Sequence, residues 1–335
     1  MTPLIESVIN ISTADIRVLN DCISMINRHP YVALLDIHRG VSVHRSVLSI
    51  CGTPVELPNI LKKLMGHCLS EIDMRTHQGT HPRIGAIDVC PIIPIRRVSF
   101  DQAKHLTNEL AKQISQAHNL PVYLYEHSAR EPKRKFLYNI RRGGYEGLEK
   151  KIQRHEWIPD FGPTTWSKHV AKTGAMVMGV RDYMVAWNLS LSSDDIKVAR
   201  HAASNIRGTG RIKNGVRIPG RFPSVRAIGW IIDEYACAQI STNIYDIYKD
   251  QMLDVFHFAQ QCTSNAIQNT ERIGLFPLAA LGLPTTAGVD DVKRVAKMLQ
   301  IQHFKAKDHI LEYAVQNKCD NADFSKDYPC LDSCL

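Results

Sequence analysis

The chain spells out one order of elements twice: strand, helix, strand, strand, helix, strand. In the first half, residues 6–11 predict a short strand, and Ser12 with Asp15 reads as a capping box before a helix bearing Ile16, Leu19, Ile23 and Ile26. Strands are expected over Tyr31–Leu35 and Val41–Ile50, a helix over Val55–Ile72 and a strand over Ala86–Ile95. Ser99 and Gln102 form a second capping box, ahead of a helix with Ala103, Leu106, Leu110 and Ile114 on its core face; Pro121–Tyr125 is a further strand. The second half repeats the order. A strand over Asp182–Leu191 precedes a helix capped by Ser193 and carrying Ile196, Ala199, Ala203 and Ile206. Strands over Val225–Glu234 and Ala236–Tyr245, a helix over Met252–Ile267 and a strand over Arg272–Phe276 complete it. This order predicts an α+β fold of two ferredoxin-like (βαββαβ) subdomains, each a mainly antiparallel sheet with helices on one face. Their expected extents are residues 1–178 and 179–315, with a polar, Gly-containing stretch over Arg130–Thr173 and a flexible tail over 316–335.

With 335 residues, 44% hydrophobic and 22% charged, the chain can bury two ordinary cores. No apolar run is long enough for a bilayer span, and Met1–Glu6 lacks a basic region followed by a hydrophobic one, so a cytoplasmic protein is expected. The nine cysteines lie mostly in apolar stretches, and an odd count without a secretion signal argues against a disulfide framework; there is no Cys-x-x-Cys. Cys319, Cys330 and Cys334 are spaced too loosely for a thiolate zinc site, and no metal is expected. A net charge of +8 suits an anionic partner. Nucleic acid is one class, and the basic stretch Arg207–Arg226 is its only support, with no accompanying recognition motif. Small polycarboxylates fit the same charge.

The segment Asp73–Pro94 carries the clearest chemical signal. It holds His77, His81, Arg75 and Arg83 on a loop punctuated by Gly79 and Pro82, and it runs directly into an apolar strand. His81, with an ordinary pKa near neutrality, is the natural general-base candidate. On residue types alone, a turn residue before Pro82 is the plainer reading. Arg45, Arg83 and Arg226 are candidates to grip carboxylates bidentately.

Several segments in order resemble the glutamate formimidoyltransferase family, which moves a formimino group from N-formimino-L-glutamate to tetrahydrofolate in histidine breakdown. They are His81-Pro82-Arg83-Ile84-Gly85, Pro121–Tyr125, Gly144–Leu148, Glu156–Pro163, Ala227–Trp230, Ala238–Asn243 and Gly274–Leu278. The resemblance implies His81 as catalytic base. It places Asn10, His38, Gln239 and Asn243 in matching motifs, and makes Gly162, Pro163, Thr164, Thr165, Trp166, Lys172, Thr173 and Gly174 part of a folate-binding loop. A pterin would also stack on an aromatic face, for which Trp166 is available, and glycines let a backbone approach a flat ligand closely. Tetrahydrofolate as co-substrate, an active site in the crevice between subdomains and a homodimer through the C-terminal subdomain follow from the same resemblance. So does a separate cyclodeaminase as a possible partner.

The chain departs from the family pattern close to the expected chemistry. Thr13-Ala14 stands where the family has Glu-Gly, His38 replaces an active-site aspartate, and Thr80 replaces the glutamate before the catalytic histidine. A neutral imidazole at position 38 keeps an acceptor but loses the charge. The expected activity is therefore formimino transfer to N5 of tetrahydrofolate, with formyl transfer as a close variant. The alternative is a catalytically impaired paralogue that binds folate or assists assembly.

Overall fold

The computed structural model describes residues 2–232 and 236–320. The described chain divides into two compact units, one spanning residues 2–181 with 317–320, the other Asp182–Gln316. Each is a mixed α/β body with its own apolar core.

The first unit contains β1 (Leu4–Ile11), α1 (Ile16–Asn27), β2 (Val32–Gly40), β3 (Arg45–Gly52), α2 (Glu56–Glu71), β4 (Ile87–Arg96), α3 (Phe100–His118) and β5 (Val122–Leu124). After them come the short helices α4 (Leu137–Arg141), α5 (Leu148–Ile152) and α6 (Lys168–Thr173), then β6 (Met176–Val180). Six strands form one sheet in the order β2-β3-β1-β4-β6-β5. β1 lies antiparallel to β3 and β4, and β2 antiparallel to β3, whereas β6 pairs parallel with β4 and β5. Three helices cover one face. Val18, Leu19, Cys22 and Ile26 of α1, Leu57, Leu61 and Leu64 of α2, and Leu110 and Ile114 of α3 close over Ile5, Ile9, Leu48 and Ile50. Each fully buried Leu or Ile contributes about 1.5–3 kcal/mol through loss of apolar surface from water.

Three local expectations are corrected here. Asp15, not Ser12, caps α1: its Oδ1 accepts from the Arg17 amide at 2.8 Å, while Ser12 is still tied across the sheet, its hydroxyl donating to Gly85 O at 2.7 Å. β2 continues past Leu35 to Gly40, and residues 41–44, with His44 at φ 48°, form the turn. A bulge between Leu34 and Asp36 lies where the expected strand ends, and the pairing resumes beyond it. The stretch Arg130–Thr173 is also not a plain polar loop. Ile140 and Leu148, with Trp157 and Trp166, pack on Val89, Tyr123, Tyr125 and Val177, the sheet face opposite the three long helices. This cover is pinned by a buried Arg134–Asp160 ion pair at 3.1 Å, and Asp160 Oδ2 also accepts from the Leu124 amide at 2.8 Å.

The second unit contains β7 (Val185–Leu191), α7 (Ile196–Ile206), a small hairpin β8 (Arg211–Lys213) and β9 (Val216–Ile218), β10 (Val225–Ile232), β11 (Cys237–Ile244), α8 (Met252–Cys262) and β12 (Ile267–Ile273). Its main sheet has the order β10-β11-β7-β12, with every neighbour antiparallel. Trp187, fully buried, anchors the core beneath α7 and α8. Asp195, rather than Ser193, caps α7 by accepting from the Lys197 amide at 2.8 Å. α8 stops at Cys262 because Ser264 and Asn265 adopt left-handed φ values of 52° and 63°; the last strand therefore starts at Ile267 rather than Arg272. The expected strand end at Glu234 and the tail residues Cys330 and Cys334 lie outside the described residues. Among the described residues, no helix is long and apolar enough to cross a membrane.

Candidate active site

The face of the first sheet opposite α1–α3 brings several of the candidate residues together. One row crosses every strand: His38 pairs with Val47, Val47 with Asn10, Asn10 with Val89, Val89 with Val177 and Val177 with Tyr123. Directly paired residues share a face, so His38 and Asn10 point to the same side. Arg45 opens β3 two positions before Val47, on that same side, and its guanidinium donates to Asn10 Oδ1. Asn10 spends its amide on Val8 O at 3.0 Å, which leaves its carbonyl to hold the arginine.

His81 stands on the loop between α2 and β4. That loop is fixed at both ends. Arg75 clasps the Asp73 carboxylate at 2.8 and 3.1 Å, and the Met74 amide donates to Lys172 O at 2.8 Å. Further on, the Ile84 amide donates to Asp88 Oδ1 at 3.0 Å and the Ala86 amide to Thr173 O at 2.8 Å. His77 stacks on His44, ring centroids 4.6 Å apart, and its Nε2 donates to His44 O at 3.0 Å. Nδ1 of His77 is thereby the acceptor, and Arg83 Nε donates to it at 3.2 Å. Arg83 also pairs with Glu146 at 2.8 Å.

His81 itself has a buried Nδ1 with no hydrogen-bond partner among the described residues. Burial, together with the charges of Arg45, Arg141 and Arg83, holds its pKa well below the ordinary 6.5. At neutral pH the ring is thus an uncharged imidazole. The same burial, with Arg141 adding to it and Asp88 opposing, pushes Arg45 down to about 9, still cationic at neutral pH. Arg141, from α4, binds the Asp88 carboxylate, which is completely buried.

Arg141, Asp88 and Glu146 are members of this cluster that sequence reasoning did not single out. Asp88 carried a signal, since a lone carboxylate inside an apolar strand has to find a partner. Arg141 carried none.

The structure places the remaining candidates in different settings. Thr164 and Thr165 are exposed, and Trp166 is half-buried 6.0 Å from the Tyr145 ring. Lys172 donates to Ser70 O at 2.8 Å, and Thr173 is buried with its hydroxyl on His169 O at 3.2 Å. Gly162 has φ 89°, and a Cβ there would lie 2.2 Å from Leu120 O; one on Gly174 would lie 2.3 Å from Ile84 O. These glycines are required by contact with their own chain, whereas the sequence reading had assigned them to close approach of a ligand. Pro163 follows Gly162 at the start of this loop. Gln239, Asn243 and Arg226 belong to the second unit. Gln239 is buried and bridges Trp230 Nε1 and Ser190 Oγ, each at 3.1 Å. Asn243 pairs with Arg226 across β11 and β10, and Arg226 donates to Pro223 O at 3.2 Å. A cavity of about 480 Å³ runs along β12 in this unit, bordered by Ser190, Glu271, Arg272 and His303. Among the described residues, no cluster of His, Cys, Asp or Glu is placed to hold a metal ion.

Comparison with known proteins identifies the family. Residues 4–181 match the N-terminal subdomain of the formiminotransferase domain, and residues 186–288 match the formiminotransferase domain. A formimidoyltransferase-cyclodeaminase of Rattus norvegicus is 37% identical over 285 residues, covering 84% of this chain and 51% of that protein. Its counterpart in Dictyostelium discoideum is 35% identical over 288 residues, with 84% and 52% covered. The chain thus spans about half the length of these curated relatives. A glutamate formimidoyltransferase of Streptococcus pyogenes is 31% identical over 286 residues, covering 84% of this chain and 91% of its own length. The chain belongs to the formiminotransferase-domain family.

Proposed function

We propose that this protein is a folate-dependent glutamate formimidoyltransferase, acting in histidine degradation and one-carbon metabolism, with His81 as general base. The observation that carries this reading is the half-buried His81 imidazole, its Nδ1 shielded from solvent and its ring held neutral beside Arg45, Arg141 and Arg83. N5 of tetrahydrofolate attacks the formimino carbon of N-formimino-L-glutamate. The N5 proton passes to the imidazole, the bond from that carbon to the glutamate nitrogen breaks, and the proton is returned to the departing nitrogen. A desolvated neutral ring suits this shuttle, and guanidinium groups suit the donor's carboxylates. Exposed Thr164 and Thr165 beside Trp166 form the surface we assign to the pterin, with Asn10, His38, Gln239 and Asn243 as further binding candidates.

Each main sheet fits the ferredoxin-like motif, because the split βαβ order 2-3-1-4 with antiparallel neighbours occurs once in each unit. We further propose a cytoplasmic homodimer. Its product requires a deaminating partner, a cyclodeaminase, on this chain's extension or on another protein. A second reading, folate binding without turnover, is favoured by His38 in the position of the family's aspartate.

The test is formimino transfer from N-formimino-L-glutamate to tetrahydrofolate, followed by product absorbance. Turnover supports the transferase. Tetrahydrofolate binding without turnover selects the second reading, and neither binding nor turnover overturns both.

A further inference from the structure

We propose that residues 317–320 form a positioning clamp on β2, with Lys318 holding the bulge that keeps His38 in the row of Asn10. The inference rests on the reading of this sheet face as the transfer site. The segment lies beyond residue 288, where the match to the formiminotransferase-domain model ends.

β2 is the edge strand of its sheet, and among the described residues no further strand pairs with its outer side. Its pairing with β3 shifts between Leu34 and Asp36. A bulge of this kind changes the parity of every residue after it, because side chains alternate with a period of two. Past the bulge, His38 pairs with Val47, the residue that also pairs with Asn10. One position of slip would turn His38 to the opposite face.

Lys318 sits on this break. Its Nζ donates to Leu34 O at 3.0 Å and to Leu35 O at 2.9 Å, two successive carbonyls at the point where the ladder is disrupted. A single ammonium with three donors satisfies both acceptors. The residues after Lys318 anchor it elsewhere on the sheet. Cys319 is almost completely buried and its thiol hydrogen-bonds with that of Cys51 on β3. Asp320 takes two bonds from Arg96 at the end of β4, at 2.5 and 3.0 Å, and Arg96 Nε donates to Thr2 O at 3.2 Å. The clamp therefore ties β2 to β3, β4 and the start of the chain.

The experiment compares wild type, Lys318→Met and Lys318→Arg by amide exchange at Ile37–Gly40 and by KM and kcat for N-formimino-L-glutamate. Lys318→Met removes both bonds at similar length; its β2 amides should exchange faster and its KM should rise, each on the order of tenfold, with a smaller change in kcat. Lys318→Arg should restore most of both. Asp320→Asn, which loosens the same segment without touching β2, should shift both in the same direction by less. Unchanged exchange in Lys318→Met overturns the clamp. Faster exchange with unchanged KM overturns its positioning role, as does a fall in kcat alone. If wild type shows no transfer, the functional reading fails, and the exchange data still decide whether Lys318 holds β2.

Discussion

The two main sheets share a strand order and a helix-covered apolar face, and they differ on the face that remains. In the first unit that face holds charge away from water: Asp88 against Arg141, Arg45 on Asn10, and a neutral His81 among the cations. In the second it is mostly a net of neutral donors and acceptors, in which Trp230, Gln239 and Ser190 are joined in series and Asn188 leans on Glu271 at 3.4 Å. Neutral networks stiffen a sheet at modest cost. Buried charges must be matched closely, and a titratable ring placed among them is held unprotonated. The same scaffold thus buries charge on one sheet and a mostly neutral hydrogen-bond net on the other.

The contrast can be broken by mutation. Arg141→Leu strands the fully buried Asp88 carboxylate, and equilibrium denaturation of the first unit should show a loss of about 3–5 kcal/mol. Arg45→Met removes a charged hydrogen bond from Asn10 and a cation from beside His81; weakened donor binding, about 1.5–3 kcal/mol read from KM, is expected with the fold retained. Gln239→Leu interrupts the neutral network and should cost the second unit only about 1 kcal/mol. A Gln239→Leu loss as large as that of Arg141→Leu would remove the distinction drawn between the two faces.

The smallest effect is in pH. Burial lowers the His81 pKa far below 6.5 and lowers that of His77 in the same direction. Below 6.5 the unfolded chain binds protons that the folded one refuses. Stability of the first unit should therefore be level above that pH and decline as pH falls toward the folded values. A stability gain on acidification through this range would contradict the assigned desolvation.

Much of the architecture was legible because the signals are local. Ser99 with Gln102 forms the capping box expected of it, and α3 buries Ala103, Leu110 and Ile114 with Leu106 half-buried beside them. Errors arose where tertiary contact overrode local pattern. Ser12 stays with the sheet, and the bulge after Leu34 hides the rest of β2. The site divides in the same way. Asn10, Arg45, His81 and Arg83 stand in motifs, whereas Arg141 comes from a stretch without periodicity and reaches Asp88 only through folding. Gly162 and Gly174 look alike in sequence whether they admit a ligand or a neighbouring carbonyl. Only coordinates show that the neighbour is Leu120 O or Ile84 O.

The most direct test of the central claim is kcat for formimino transfer in wild type and His81→Ala, measured from pH 5.5 to 8. The neutral-base account predicts a loss of about 10²–10⁴-fold in His81→Ala, and a wild-type rate that holds down to pH 6.5 before any acid limb. A variant that keeps its rate, or a wild-type acid limb centred above pH 6.5, would contradict it.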